Sequence, residues 1–365
     1  MTGEAARDTG VDIAVEGGCG VITLNRPEAL NALTLDMCHA IEAALLGWLP
    51  DTSVKAVIIR GAGRAFCAGG DIRSLYDSGL AGDDYPYRFY HDEYRLNALI
   101  HHYPKPYIAL LNGIVMGGGV GVSVHGSHRV ATENIRFAMP ETGIGLFPDV
   151  GGSYFLSRCP GETGLFLALT GTRIGAADAV YTGIATDFVP ADALDALYDA
   201  LIAANFAAGT TAEIVNQVIG RFSQPAPDAP SLAARRDHID RIFSGDSIDG
   251  ILDVLAWESD EWAETVRQTI LSKSPTSTKV AFRQIRKGAT LDFDDCMRME
   301  YRIASRFIVG ADFYEGVRAT VIDKDQTPRW QPGRLVDVDA AAVDAYFASL
   351  GEKELMLGSV GGTSR

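Results

Sequence analysis

The chain has 365 residues, enough for one large domain or two ordinary ones, and its 47% hydrophobic and 22% charged residues exclude wholesale disorder and fibrous classes. With 32 basic against 47 acidic residues the net charge is −15, which repels polyphosphate and argues against nucleic acid as a partner. Any anionic ligand must then be held by a local patch or by backbone N–H groups.

No apolar run approaches the ~18–20 residues that span a bilayer, so no membrane partner is expected. The opening MTGEAARDTG reads neither as a secretory signal nor as an Arg- and Ser-rich organelle leader. The five cysteines, Cys19, Cys38, Cys67, Cys159 and Cys296, are odd in number and form no C-x-x-C pair. Neither a disulfide framework nor a cysteine zinc site is expected, and a cytoplasmic location follows.

Residues 11–25 read as a hairpin, with Val11, Ile13 and Val15 alternating, Gly17, Gly18 and Gly20 in the turn, and Val21 to Leu24 returning. Thr34 caps a helix whose apolar face carries Leu35, Cys38, Ile41, Leu45 and Trp48. The run from Val54 to Ile59 reads as a buried strand, followed by a glycine-rich loop and a helix from Asp71. Residues 86–102 read as a helix and 107–111 as a strand, which leads into a triple glycine and a helix beginning near Val120. Segments 127–132 and 135–138 look like short strands. Strands alternating with helices predict an α/β fold. Beyond about 190 the signal turns helical, at 191–204, 211–221, 231–243, 258–272, 276–287 and 293–307. The expected organisation is a core over 11–205, a helical region over 206–350 and a disordered tail over 351–365.

Three constellations could carry chemistry. Ala65-Phe66-Cys67-Ala68-Gly69-Gly70-Asp71 joins a strand to a helix, so N–H groups can face a cavity with the helix N-terminus behind them; an ordinary tight turn would look much the same. Met116-Gly117-Gly118-Gly119-Val120-Gly121 holds more glycine than a turn needs and suggests close approach of a ligand or another backbone. It is neither a phosphate-binding Gly-Lys-Ser/Thr loop nor a clean dinucleotide fingerprint. Two such turns that present N–H groups to one point would form an oxyanion hole. In the third, Glu141 and Asp149 lie in a Gly- and Pro-broken loop beside Ile144, Leu146 and Phe147. Apolar neighbours raise carboxyl pKa values, as acid–base work requires, although two surface acids among 47 are the simpler alternative. Ser123 and His125 alternate, which is poor nucleophile–base geometry, and His101-His102 reads as a helix end. No metal-ligand spacing is present.

These motifs, with Leu24-Asn25-Arg26-Pro27-Glu28 and Pro140-Glu141, resemble those of the enoyl-CoA hydratase/isomerase (crotonase) superfamily. Within it the chain is similar to the 3-hydroxyisobutyryl-CoA hydrolase branch, on the stretches 65–72, 116–126 and 137–152 and on Leu169-Thr170-Gly171, Ser274-Pro275-Thr276-Ser277, Met299-Glu300-Tyr301-Arg302, 315–319 and 322–326. The resemblance covers roughly residues 12–350. It implies a spiral of ββα units with a helical C-terminal region, and hydrolysis of the thioester of a short 3-hydroxyacyl-CoA. Coenzyme A would enter as part of the substrate, with no separate cofactor or metal. By position, Gly70 and Gly118 supply the oxyanion N–H groups, Glu141 is the catalytic glutamate and Asp149 its partner. Glu93, Asp71 and Ile72 join them in substrate binding, and Arg26, Arg73 or Lys324 would meet the phosphates. Hydratases carry a second glutamate where this chain has Gly121, which disfavours hydration. Enoyl-CoA hydration or isomerisation, and a non-catalytic acyl-CoA- or RNA-binding scaffold, are the alternatives. The superfamily favours trimers and their dimers, so a homo-oligomer is open, although a long helical C-terminal part could cover that interface.

Overall fold

The computed structural model describes residues 9–358. Strands β1 (Val11–Glu16) and β2 (Cys19–Leu24) form the antiparallel hairpin. Gly17 and Gly18 make its turn, at φ of 53° and 88°, as a two-residue hairpin loop of this twist demands. Gly20 is not part of the turn; it lies inside β2, where a Cβ would stand 2.5 Å from the Trp48 ring. Helix α1 (Leu35–Trp48) follows, its first turn held by the Thr34 hydroxyl accepting from the Met37 N–H.

The chain then repeats one layout. Strands β3 (Ala56–Gly61) and β4 (Ala65–Cys67) precede helices α2 (Ile72–Ala81) and α3 (Tyr85–His101). Strands β5 (Tyr107–Leu111) and β6 (Ile114–Met116) precede the short helix α4 (Gly118–Gly121), which starts two residues before the predicted Val120. Strands β7 (His128–Ala131) and β8 (Arg136–Ala138) form the third pair, and β9 (Asp187–Phe188) comes last. The first member of each pair joins a six-stranded sheet, β1-β2-β3-β5-β7-β9, and the second joins a three-stranded sheet, β4-β6-β8. From β2 onward all pairings are parallel. The result is an α/β spiral of strand–strand–helix turns with a helical C-terminal region.

Parallel strands of this kind are buried on both faces, and their residues divide by parity. Ile22, Val57, Ile59, Ala109 and Leu111 face one apolar cluster; Val21, Ile58, Ile108, Leu110 and Val130 face a second, with Leu197, Leu201, Val215 and Ile219 over them. The larger cluster runs from Ile22 to Leu355, so the C-terminal helices share a core with the spiral. Among these helices, Ile248–Trp257 was not expected; its Gly250 and apolar residues on several sides blur the 3.6-residue period. The tail is ordered further than predicted: Gly351–Lys353 forms a turn, Leu355 is buried, and Glu354 pairs with Arg302 at 2.9 Å. Residues 359–365, also expected to be disordered, lie outside the described residues. No helix among the described residues is long and apolar enough to cross a membrane.

Candidate active site

In the three-stranded sheet β6 sits between β4 and β8, all parallel. The segments that leave their C-terminal ends therefore emerge side by side: Ala68 to Asp71 from β4, Gly117 from β6, and Met139 to Glu141 from β8. Three motifs spread over some 75 residues converge because of this strand order. Ligands in open α/β sheets collect at such carboxyl ends.

The two glycine turns touch. A Cβ on Gly118 would stand 3.3 Å from the Gly70 nitrogen, and one on Gly117 would stand 3.3 Å from the Gly69 Cα. Gly117 and Gly69 hold φ of 46° and 125°, which side chains resist. Neither the Gly70 nor the Gly118 N–H donates to another described residue. Two adjacent free donors, the second opening helix α4, can bind an oxygen that carries negative charge.

Three carboxyl groups surround these turns. Glu141 opens a 3-10 turn (Glu141–Ile144), and a Cβ on Gly117 would lie 3.4 Å from its Oε1. Glu93, on the buried face of α3, would lie 2.5 Å through Oε1 from a Cβ on Gly118. Asp149 accepts a hydrogen bond of 2.8 Å from the Tyr94 hydroxyl. All three are nearly shielded from water, at 2%, 5% and 6% exposed for Glu93, Glu141 and Asp149. Glu93 Oε1 and Glu141 Oε2 have no hydrogen-bond partner.

Burial first, and then the neighbouring carboxylates, push the Glu93 and Glu141 pKa values well above the ordinary range. Burial lifts Asp149 to about 7 despite the Tyr94 bond. Three acids this close cannot all be ionised near neutrality, so their protons are shared. A group with a raised pKa can take or give a proton at working pH.

The loop around Asp149 is clamped from within the spiral and from the C-terminal helices. Val150 has φ of 50°, costly for a β-branched residue. The His125 ring, lowered to about 3 by burial and hence neutral, donates through Nε2 to the Val150 carbonyl at 2.7 Å. Glu300, on helix Phe293–Phe307, accepts from the Gly151 and Ser153 N–H groups at 2.7 and 2.8 Å. Ser274, at the start of helix Pro275–Gly288, donates its N–H to the Thr142 carbonyl at 3.1 Å.

The other predicted residues stand apart from the acid trio. Asp71 caps α2 through the Ser74 N–H and pairs with Arg26 at 3.3 Å, so its carboxylate is engaged. Ile72 is half-buried in the first turn of α2. Arg26 also donates to the Ala32 carbonyl at 2.6 Å. Arg73 is exposed and reaches the Val321 carbonyl at 3.4 Å, three residues from the exposed Lys324. Ser123 bonds to the Gly119 carbonyl and His125 to Val150, so the two form no dyad. Among the described residues, His238, Glu258 and Asp260 lie close enough together to hold a metal ion. They sit in the C-terminal region outside the acid trio, and Arg241 pairs with Glu258 there.

Sequence reasoning missed Tyr94, Asn97, Glu300 and Lys273. The last is half-buried, and its pKa is lowered by burial against the pull of Glu141. The available signal was polar residues on otherwise buried helix faces, as at Glu93-Tyr94 and Met299-Glu300-Tyr301.

The sequence profile described as "Enoyl-CoA hydratase/isomerase" matches residues 19–347, and the chain belongs to that family. Curated relatives narrow the comparison. A protein of Xenopus tropicalis named "3-hydroxyisobutyryl-CoA hydrolase, mitochondrial" is 46% identical over 360 residues, covering 98% of this chain and 93% of that protein. Proteins of the same name from Danio rerio and Homo sapiens are 47% and 43% identical, each over 93% of this chain and over 90% and 88% of their own lengths. Among solved structures, one titled as a carnitinyl-CoA dehydratase from Mycobacterium thermoresistibile has a TM-score of 0.89 at 41% identity, covering 97% of this chain and 99% of that one. Another, titled as an enoyl-CoA hydratase from Rhodobacter sphaeroides 2.4.1, has a TM-score of 0.86 at 38% identity, with coverages of 95% and 100%. The expectation of a cytoplasmic location is corrected by the curated relatives, whose names place them in the mitochondrion.

Proposed function

We propose that the chain hydrolyses the thioester of a short 3-hydroxyacyl-CoA, foremost 3-hydroxyisobutyryl-CoA, a step of valine breakdown. The observation that carries this reading is the Glu141 carboxyl, buried and with Oε2 unpartnered, beside two free glycine N–H groups. The curated relatives' names support the substrate.

In this reading the thioester oxygen accepts from the Gly70 and Gly118 N–H groups, which polarise the carbonyl and stabilise the tetrahedral oxyanion. One such donor is worth ~3–4 kcal/mol. Glu141 either attacks the carbonyl carbon, giving a mixed anhydride that water then opens, or takes a proton from the attacking water. In both routes the C–S bond breaks, coenzyme A leaves as the thiol after gaining a proton, and the carboxylic acid is released. Asp149 and Glu93 share protons with Glu141 and orient the water or the acyl hydroxyl. No metal or redox cofactor takes part, since the oxyanion donors and carboxyl groups supply the chemistry. Arg73 and Lys324 suit the phosphates better than Arg26, whose guanidinium is engaged with Asp71 and Ala32.

The titles of the two solved neighbours favour water addition or removal as the second reading. Position 121 opposes it: a Cβ on Gly121 would stand 2.7 Å from Asn97 Nδ2 and 2.8 Å from the Val150 Cβ. The space a second glutamate needs is filled. Thiol release from 3-hydroxyisobutyryl-CoA and loss of enoyl absorbance with crotonyl-CoA, followed in one preparation, test the choice. Hydrolysis is expected to be much the faster; hydration at an equal rate would overturn the reading.

A further inference from the structure

Asn97 is wholly buried, and neither its Oδ1 nor its Nδ2 has a hydrogen-bond partner. A buried amide without partners is costly, and native proteins rarely tolerate one unless water or a ligand completes it. Its place in the fold limits what that group can be. Asn97 follows Glu93 by one turn of α3 and so shares its face. Gly121 follows Gly118 by about one turn of α4, and α3 packs against α4. A Cβ on Gly118 would meet Glu93 Oε1 at 2.5 Å; a Cβ on Gly121 would meet Asn97 Nδ2 at 2.7 Å and Oδ1 at 3.1 Å. The two helices thus run in step. Glu93 stands beside the glycine pair proposed to face the thioester carbonyl, and Asn97 stands one turn, ~5.4 Å, further along α3 beside Gly121.

We infer that Asn97 is a further residue that reads the 3-hydroxyl group of the acyl chain, alongside Glu93 and Asp149. The inference rests on the thioester-hydrolase reading above. That hydroxyl sits on the second carbon beyond the carbonyl carbon, so it lies within one helical turn of the reacting centre. A hydroxyl both donates and accepts, and the Asn97 amide offers one atom for each. An amide does not titrate at working pH, so it cannot take a proton from water. Its use is recognition, with proton transfer left to the neighbouring acids. Gly121 is the complement of this arrangement, because any side chain there would displace the amide.

The test pairs 3-hydroxyisobutyryl-CoA with isobutyryl-CoA, which has the same carbon skeleton without the hydroxyl, on the full-length wild type and on Asn97→Leu. The quantity read is the ratio of kcat/KM for the two substrates. A site built to bond a hydroxyl discriminates against the analogue that lacks it. The wild-type ratio is expected to exceed one and to fall by about 10- to 100-fold in the variant, through loss on the hydroxylated substrate. Turnover of isobutyryl-CoA, which has no hydroxyl for residue 97 to meet, is expected to fall far less and also reports that the variant is folded. If Asn97→Leu does not fold, Asn97→Ser, smaller and still polar, is read in the same way. An equal loss on both substrates, no loss on either, or a wild type that ignores the hydroxyl would overturn the role of Asn97 while leaving the hydrolase reading standing. A wild type that releases thiol from neither substrate would instead overturn the hydrolase reading, and this inference with it.

Discussion

Glu300 and Gly151 are 149 residues apart in sequence, and the carboxylate of one accepts the backbone N–H of the other at 2.7 Å. The same carboxylate takes the Ser153 N–H with its second oxygen. A C-terminal helix therefore fixes the loop that carries Asp149, and the helical region is part of what shapes the site.

Burial pushes the Glu300 carboxyl up to about 8, against ~4.3 in an unfolded chain. The folded form holds the proton more tightly, so its stabilising contribution is complete below about pH 4 and is lost as pH rises through 8. Glu300→Gln has only one oxygen and leaves one of the two N–H groups unmatched, at a cost of ~1–3 kcal/mol. In thermal melts the variant is expected to have a lower Tm at pH 5, and a shallower fall in Tm from pH 6 to 9, than the wild type. An unchanged slope would remove Glu300 as a titrating group.

A methyl group on Gly118 would stand 2.5 Å from Glu93 Oε1, between the paired glycine nitrogens and the acids, whereas on Gly143 its nearest neighbour is the end of Lys273 at 3.4 Å. Gly118→Ala keeps the N–H but sets a methyl against Glu93 Oε1 and the Gly70 nitrogen, and it is expected to lower kcat/KM by 100-fold or more, in line with blocking about one oxyanion donor. Gly143→Ala, at an ordinary contact distance, is expected to stay within about threefold. Steady-state thiol release on both variants checks the contrast, and comparable losses would show that the oxyanion assignment is wrong.

In both proposed routes Glu141 would work ionised, and burial together with the Asp149 charge holds its pKa above the ordinary carboxylate range. Activity should therefore fall as pH drops, along a limb set by the acid trio as a unit. Asp149→Asn removes a negative neighbour and lets Glu141 ionise at lower pH, so the limb should move toward acid even as the maximal rate falls. A pH profile of kcat/KM for both proteins measures this; a limb that stays in place would uncouple the two carboxyl groups.

Glu141→Gln keeps the shape of the side chain and removes its charge. Turnover should drop by several orders of magnitude, while binding of the acyl-CoA, followed by calorimetry, stays within about tenfold. Near-normal turnover would take Glu141 out of the mechanism.

Much of the architecture was legible in contiguous sequence, because hairpin turns, helix caps and buried strands are local. Gly17-Gly18 fixes the hairpin, Thr34 starts α1, and β-branched runs mark the sheet. The glycine pairs and the acids Glu93, Glu141 and Asp149 were also recognisable as motifs. Their convergence was implied only by the family resemblance, not by any local pattern. It depends on β6 lying between β4 and β8, and no single segment encodes strand order. The placement of Gly20 failed for a related reason: glycine suits a turn and also suits a strand under an indole, and only the position of Trp48 separates the two. Whether the acids were surface charges or buried groups was open in the sequence, since burial is decided by what packs over them. Tertiary structure alone decided that Asn97 fills the space beside Gly121 and that Glu300 holds the Asp149 loop. Both are long-range contacts, set by how whole helices dock rather than by the residues next to them in the chain.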